Sequence, residues 1–188
     1  MASFHIRKAE PVDLPALHRL VIGLARYERL EDQVVSTPAD FERALFGDGA
    51  AVEAVLLWPN AQEQGGPVAF ALYFHNFSTF LGRRGLYLED LFVTPEQRGH
   101  GYGKALLIHL ARIAVERGCG RFEWSVLHWN VDAQAFYQSL GGVVMPDWRI
   151  TRVTGEALHA LANAFANQDD AHSDAPRQPA GQRIVNPT

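Results

Sequence analysis

Hydrophobic positions at the start of the chain follow first a strand pattern and then a helix pattern. Phe4 and Ile6 alternate with polar residues, which predicts a short strand. Apolar residues then recur every three or four positions over 14–24, so the helix that opens at Asp13 has one apolar face. Thr37, followed by a proline and then an aspartate two residues later, marks the start of a second helix.

Three apolar runs of strand length follow, at residues 51–58, 68–77 and 86–93. The turn-rich segment 59–67 joins the first two runs, which predicts a hairpin with a long loop. Residues 78–85 then connect the second run to the third, so three successive strands are expected.

The rest of the chain alternates helical and strand-like patterns. A helix that ends at Gly118 lies between the strand 86–93 and a strand at 121–127, and this order implies a right-handed crossover and a parallel pairing. The later elements are expected to be a helix over 130–140, a strand pair at 143–144 and 148–153, and a weak helix over 155–166. The predicted fold is α/β, with helices flanking a mixed, mostly antiparallel central sheet in the order β-α-α-β-β-β-α-β-α-β-β.

Composition divides the 188-residue chain into a domain and a tail. Residues 4–166 have enough apolar content for one domain with a hydrophobic core. Residues 167–188 are rich in Asp, Gln, Pro and Ala, so we expect a polar C-terminal tail outside that core.

Charge and residue counts exclude several functional classes. The net charge is −4, which gives no electrostatic basis for nucleic acid as the main partner. A single cysteine and histidines without metal-ligand spacing predict no metal site. The N-terminus is too polar for a signal peptide, and no apolar run approaches the ~20 residues that span a bilayer. We therefore expect a cytoplasmic protein that does not bind membranes.

The segment between the third strand and its helix combines glycines with carboxylates. Gly99, Gly101 and Gly103 open the helix, where unpaired backbone N–H groups and the helix dipole favour an anion. Glu89 and Asp90 lie on the preceding strand. The glycine spacing matches neither a P-loop nor a dinucleotide-binding fingerprint. The sequence predicts a phosphorylated ligand beside a pair of acids.

Three motifs in this half of the chain resemble the GCN5-related N-acetyltransferase (GNAT) family. They are the loop 97–104, the preceding Phe-Val-Thr-Pro at 92–95, and the Trp-Asn to Gly-Gly run at 129–142. The resemblance implies the GNAT fold and acetyl-CoA as co-substrate, with the loop holding its pyrophosphate. The alternative is a sensor with the same fold that binds acyl-CoA without chemistry.

The resemblance extends over residues 4–154 to the diamine acetyltransferase branch, through Leu24–Glu28 and Leu86–Asp90. Polyamine enzymes of that branch are expected to carry an acid in the loop before the Leu-Tyr-Leu-Glu-Asp strand, but residues 77–80 contain none. The Ser-Thr pair there and the run 126–130 are more similar to thialysine N-ε-acetyltransferases. The implied acceptor is a lysine-like amino acid, with polyamines or a protein amine as alternatives, and the implied assembly is a homodimer.

Acetyl transfer requires a neutral amine, whose pKa is about 10.4 in water. Glu89, preferred over Asp90, is the expected proton acceptor. Neighbouring strand residues point to opposite faces, so both can serve one site only if the strand is bulged or splayed. The oxyanion donor is expected to be the backbone N–H of Leu91 or Phe92.

The resemblance also implies roles for particular side chains. Tyr137 is the expected general acid for the coenzyme thiolate, and Tyr27 and Glu28 would line the amine pocket. Trp148 either lines that pocket too or lies in the core. The expected coenzyme contacts are Leu91, Phe92, Val93, Arg98, Gly99, His100, Gly101, Tyr102, Gly103, Lys104, Asn130, Ala133 and Tyr137.

Overall fold

A computed structural model describes residues 4–164, which fall into two compact units divided between Val131 and Asp132. The strands are β1 His5–Lys8, β2 Val52–Trp58, β3 Ala69–Ser78, β4 Arg83–Val93 and β5 Phe122–Trp124. The helices are α1 Leu14–Glu28, α2 Pro38–Phe46, α3 Tyr102–Glu116, α4 Val131–Ser139 and α5 Gly155–Ala162. The predicted tail at 167–188 lies outside the described residues.

The five strands form one sheet in the order β1-β2-β3-β4-β5. The first three pairings are antiparallel, and β4 with β5 is parallel, as the crossover through α3 requires. The expectation of a mixed, mostly antiparallel sheet flanked by helices is confirmed. No described helix within residues 4–164 has the length and apolar content to cross a bilayer.

Helices α1 and α2 start at the predicted residues. Asp13 is the N-cap of α1, and Thr37 caps α2 in a reciprocal box. In that box the Thr37 backbone N–H donates to Asp40 Oδ2 at 2.8 Å, and the Thr37 hydroxyl accepts from the Asp40 N–H. Both helices pack on one face of the sheet through a cluster of buried apolar side chains. Its main members are Leu14, Leu17, Leu20, Leu24, Leu45, Leu56, Phe70, Leu72 and Phe92.

The predicted final strand pair is wrong. Residues 143–153 are irregular, and Met145 to Trp148 form a turn at Pro146, which has no N–H to give to a ladder. Val143 and Trp148 are 81% and 74% exposed, so the alternating apolar pattern gains no burial. The strand predicted at 121–127 is also shorter than expected, since only Phe122–Trp124 pairs with β4.

Candidate active site

Strand β4 carries a β-bulge at the two predicted acids. Leu72 of β3 lies opposite Asp90, but the next residue, Tyr73, lies opposite Leu88, which leaves Glu89 as an extra residue. A bulge of this kind restarts the in–out alternation of the strand. The structure thus contains the irregularity that the two acids need in order to share a face.

The register shows which face that is. Asp90 lies opposite Leu72 and shares its face of the sheet with Phe92. Leu72 and Phe92 are both core residues that pack with α1. Glu89 follows Tyr87 by two residues, and the Tyr87 ring contacts Phe74 on the same face as Leu72. Both carboxylates therefore lie on the side of the sheet that α1 covers.

Helix α1 brings a third carboxylate towards this face. Gly23 lies so close to Phe92 that an added Cβ would come within 2.9 Å of the ring. Helix α1 continues from there for five residues and ends at Glu28, where the left-handed Arg29 (φ 62°) stops it. Partial burial raises the pKa of Glu28 above its ordinary value.

Asp90 has the most perturbed carboxyl group of the three. Burial, followed by the negative charges of Glu89 and Glu28, raises the pKa of Asp90 to about 6. Glu89 itself is exposed. An acid with this pKa is partly protonated near neutral pH, so it can accept and release a proton in that range.

The strands β4 and β5 separate directly before the bulge. Their parallel pairing covers only Leu86 to Leu88 of β4, and β5 ends at Trp124, whereas β4 continues to Val93. On the other side, β4 remains paired with β3 as far as Val93. The segment 89–93 consequently has one paired edge and one edge that is not bonded to β5.

Two contacts show which backbone groups point towards that second edge. The Thr94 N–H donates to the Val68 carbonyl at 2.9 Å, so the alternate N–H groups of Phe92 and Asp90 also point to β3. The Val93 carbonyl instead accepts from Arg98 Nε at 3.2 Å, on the other side. The backbone groups of Leu91 point the same way as those of Val93, two residues later, so the Leu91 N–H points into the space between β4 and β5.

The glycine loop has the conformation expected of an anion site. Gly99 and Gly101 have φ of +81° and +82°, a region that side chains strongly disfavour, and a Cβ on either would meet no atom within 4 Å. Gly101 is the N-cap of α3, and the first bond of the helix runs from the Ala105 N–H to the Gly101 carbonyl. The N–H groups of 102–104 precede that bond and face the loop.

Arg98 and two aromatic residues connect the loop to the end of α1. The Arg98 guanidinium carbon lies 4.3 Å from the centroid of the Tyr27 ring. Tyr27 is the residue directly before Glu28. The Tyr27 hydroxyl donates to Asn130 Oδ1 at 3.4 Å, and its ring lies 6.1 Å from that of Trp129. The sequence indicates no contact for Trp129, which enters there only through the Trp-Asn pair of the family signature.

The remaining predicted residues have varied positions. His100 Nδ1 donates to the carbonyls of Gln97 and Arg98. The Tyr102 side chain is buried against Phe4, which leaves its backbone N–H as the group that faces the loop. Lys104 is exposed on the first turn of α3. Ala133 and Tyr137 lie on α4, where the Tyr137 ring contacts that of Phe136 at 5.4 Å.

Trp148 and Ser78 differ in exposure. Trp148 is exposed in the irregular segment after α4, so the alternative of a core position is wrong, and its place in the amine pocket stays a prediction. Ser78 is buried and accepts from the Leu81 N–H at 3.3 Å, so it stabilises the β3–β4 turn. That turn is six residues from Glu89, roughly 20 Å along the strand, so Ser78 and Thr79 lie outside the carboxylate site of their own chain.

No group of three or more His, Cys, Asp or Glu side chains among the described residues could hold a metal ion. The site within residues 4–131 instead combines three carboxylates, an unpaired strand edge and a glycine loop with backbone donors. This arrangement can hold a cationic amine beside a phosphate-bearing molecule.

Known proteins resemble this chain over most of its length. A model of the acetyltransferase (GNAT) family matches residues 22–142. L-ornithine N5-acetyltransferase NATA1 of Arabidopsis thaliana is 32% identical over 83% of this chain and 86% of its own. Thialysine N-epsilon-acetyltransferase of Sus scrofa is 35% identical over 86% of this chain and 99% of its own. An integron cassette protein from the V. cholerae mobile metagenome has a TM-score of 0.71 at 28% identity, over 86% of this chain and 98% of that one.

Proposed function

The chain belongs to the acetyltransferase (GNAT) family and is an N-acetyltransferase, and we propose that it acetylates the terminal amine of a lysine-like amino acid such as thialysine, ornithine or lysine. The observation that carries this proposal is the bulge at Glu89, which brings both strand acids to the face where α1 ends in Glu28. Three carboxylates around one position suit a substrate that arrives as an ammonium ion.

Acetyl-CoA is the donor that the family uses, and the residues of the loop fit its pyrophosphate. Gly99 and Gly101 leave the backbone open, and the first turn of α3 presents its N–H groups there. Arg98 and Lys104 add positive charge on either side of these glycines. Asn130 and Ala133 are proposed further contacts of the coenzyme.

Asp90 is the proposed proton acceptor, and Glu89 and Glu28 hold the ammonium group. Burial, and then the charges of Glu89 and Glu28, raise the pKa of Asp90. Transfer of a proton from an amine of pKa about 10.4 to a group of pKa about 6 is unfavourable by about four units. With an aspartate of ordinary pKa, the difference in pKa would be about two units larger, which adds about 3 kcal/mol to the free energy of proton transfer. The raised pKa supports Asp90 as the acceptor, in place of Glu89, the acid preferred from the sequence.

Leu91 provides the proposed oxyanion donor, in preference to Phe92, because its N–H points into the gap between β4 and β5. One such donor is worth about 10²–10³ in rate in other acyl-transfer enzymes. As the amine nitrogen bonds to the acetyl carbon, the carbon–sulfur bond breaks, and Tyr137 is proposed to protonate the departing thiolate. The ammonium group loses two protons as it becomes an amide: one passes to Asp90 before the attack, and the second replaces the proton that Tyr137 gives to the thiolate. Asp90 then releases its proton to solvent, so charge and protons balance.

An amino acid is a better candidate than a polyamine. The family resemblance implies an acid in the loop before β4 for enzymes that act on polyamines, and residues 77–80 supply none. The names of the Arabidopsis and pig relatives, which refer to ornithine and thialysine, support this choice. We also propose that the enzyme forms a homodimer, which light scattering of the purified protein would test.

An amine-panel assay tests the proposal. Release of free CoA from acetyl-CoA is followed with thialysine, lysine, ornithine, spermidine and an N-terminal peptide amine, each with Asp90→Asn as the matched inactive control. The expected order of kcat/KM places the three amino acids above spermidine and the peptide. A higher value for spermidine would favour the polyamine alternative and overturn the substrate proposal.

A further inference from the structure

A groove of about 550 Å³ lies at the opposite end of α3 from the glycine loop. It is formed where β3 turns into β4 and where α3 ends, and Arg83, Arg84 and Arg117 contribute to its walls. Since α3 has 15 residues, the groove is about 22 Å from the loop. It is therefore a separate site from the one proposed for acetyl-CoA.

Arg117 is held in place by its neighbours. Its guanidinium donates to both carboxylate oxygens of Glu53, with Nη2 at 2.9 Å from Oε2, and Nη1 lies 2.9 Å from His75 Nε2. Because arginine can only donate, this His75 nitrogen accepts, and Nδ1 is left to donate to the Gly85 carbonyl at 3.0 Å. The Arg117 wall of the groove is thus pre-organised.

The groove has a surplus of positive charge in an acidic protein. Within residues 4–164, neither Arg83 nor Arg84 forms an ion pair with a described carboxylate, and Glu53 is the acid bound to Arg117. The lining thus holds three arginines against the one carboxylate bound to Arg117, a formal charge of +2, whereas the whole chain carries −4. The last carbonyls of α3 are capped by the N–H groups of 117–119, which reduces their effect on an anion.

One wall of the groove is apolar. Phe77, which is 60% exposed, lies opposite Arg84 in the β3–β4 pairing. Gly82 and Gly118, with φ of +61° and +66°, present backbone without side chains on either side. The groove therefore combines charge for an anionic group with a ring for an apolar one.

We propose that this groove binds a phosphomonoester that carries an apolar or aromatic group. Guanidinium groups match the oxygens of a phosphate dianion through paired, charge-assisted hydrogen bonds. The exposed Phe77 ring would contact the organic part. This inference does not depend on the identity of the acetyl acceptor.

Calorimetric titration with phenyl phosphate tests the proposal on the full chain saturated with dephospho-CoA, which occupies the loop but has no phosphomonoester. We expect saturable binding that weakens at least tenfold in the Arg83→Ala/Arg84→Ala variant and is unchanged in Arg43→Ala, a control on α2. Phe77→Ala should weaken binding of phenyl phosphate and leave that of inorganic phosphate unchanged.

Three results would overturn the proposal. They are no saturable binding to the saturated enzyme, an unchanged Kd in the double-arginine variant, or equal affinity for phenylacetate, which would mean recognition of charge without phosphate. Circular dichroism of the variants, whose changed side chains are exposed, verifies that the fold is retained.

Discussion

Arg98 and Tyr27 stack on each other, with the guanidinium carbon of Arg98 4.3 Å from the centroid of the Tyr27 ring. Arg98 belongs to the loop proposed for the coenzyme, and Tyr27 precedes Glu28 at the end of α1. The Arg98 Nε also donates to the Val93 carbonyl, on the strand that carries the acids. One side chain thus connects the proposed coenzyme and amine sites.

Replacing Arg98 by lysine should therefore affect both substrates. A lysine keeps the charge but loses the planar contact with Tyr27, which is worth about 0.5–1 kcal/mol at an exposed site. We expect KM for the amine to rise about two- to fivefold, together with a rise in KM for acetyl-CoA. Steady-state kinetics with each substrate varied in turn measures both values.

Lys104→Ala is the matched control, since it removes a charge from the same loop. It should raise KM for acetyl-CoA alone. If Arg98→Lys also left the amine KM unchanged, the contact with Tyr27 would have no part in amine binding.

The raised pKa of Asp90 predicts the acidic limb of the pH profile. Activity should fall below about pH 6, because a protonated Asp90 cannot accept the proton of the amine. Asp90→Asn should remove this limb along with most of the activity. Glu89→Gln should move the limb to lower pH, since the charge of Glu89 helps to raise the pKa of Asp90.

Profiles of kcat/KM between pH 4.5 and 9 measure these shifts, with Glu42→Gln, an exposed change on α2, as control. An acidic limb that persists in Asp90→Asn and disappears in Glu89→Gln would assign the proton acceptor to Glu89 instead.

The sequence contains a trace of the bulge that the strand prediction did not use. Apolar residues occupy alternate positions at Leu86 and Leu88, and then at Leu91 and Val93. The interval of three between Leu88 and Leu91 is the phase change that an extra residue produces. The order of the elements up to β5 was predictable because apolar spacing reports burial directly.

Other features depend on contacts between distant parts of the chain. The stacking of Arg98 on Tyr27 joins residues 71 positions apart, and no local pattern indicates it. The pKa of Asp90 depends on Glu28, which α1 brings to the sheet. The segment 143–153 has a strand-like alternation, but a strand also needs partners, which sequence alone does not provide.

Gly101 provides a test of the loop. Alanine at φ +82° is strained by about 1–2 kcal/mol, but the open space around the glycine means that no protein atom is displaced. Gly49→Ala is a matched control, because Gly49 has φ +76° and open space but lies after α2. Both variants should lose similar stability in thermal unfolding.

The two glycine variants should differ in coenzyme binding. The methyl group of Gly101→Ala would project towards the proposed pyrophosphate, so we expect at least a tenfold rise in KM for acetyl-CoA, with none for Gly49→Ala. Equal KM values in the two variants would place the coenzyme elsewhere.

The ion pair between Glu53 and Arg117 predicts a pH-dependent stability. Hydrogen bonds from Arg117, and then from Lys8, lower the pKa of Glu53 to about 2 from an unfolded value near 4.5. A lowered pKa means that the stabilisation is complete above about pH 4.5 and is lost as the pH falls towards 2. Glu53→Gln should cost about 1–2 kcal/mol at pH 7, since the pair is partly exposed.

Urea unfolding at pH 7 and pH 3 measures this difference, which should shrink at the lower pH. Lys8→Gln is the control, because Lys8 binds the same carboxylate from a 64% exposed position and should have a smaller effect. A constant difference between wild type and Glu53→Gln at both pH values would contradict the role of the ion pair.

Tyr137 on α4 is the proposed acid for the coenzyme thiolate, and removal of its hydroxyl separates chemistry from binding. Tyr137→Phe keeps the ring and its contact with Phe136, so the variant should fold. Loss of a general acid typically costs about 10²–10⁴ in rate. We expect kcat to fall by a factor in that range while the Kd for CoA, measured by calorimetry, stays within about twofold of the wild-type value.

Phe136→Leu, one position away, is the control for packing on α4 and should retain kcat. A large loss of CoA affinity in Tyr137→Phe, with kcat preserved at saturation, would instead make Tyr137 a binding residue.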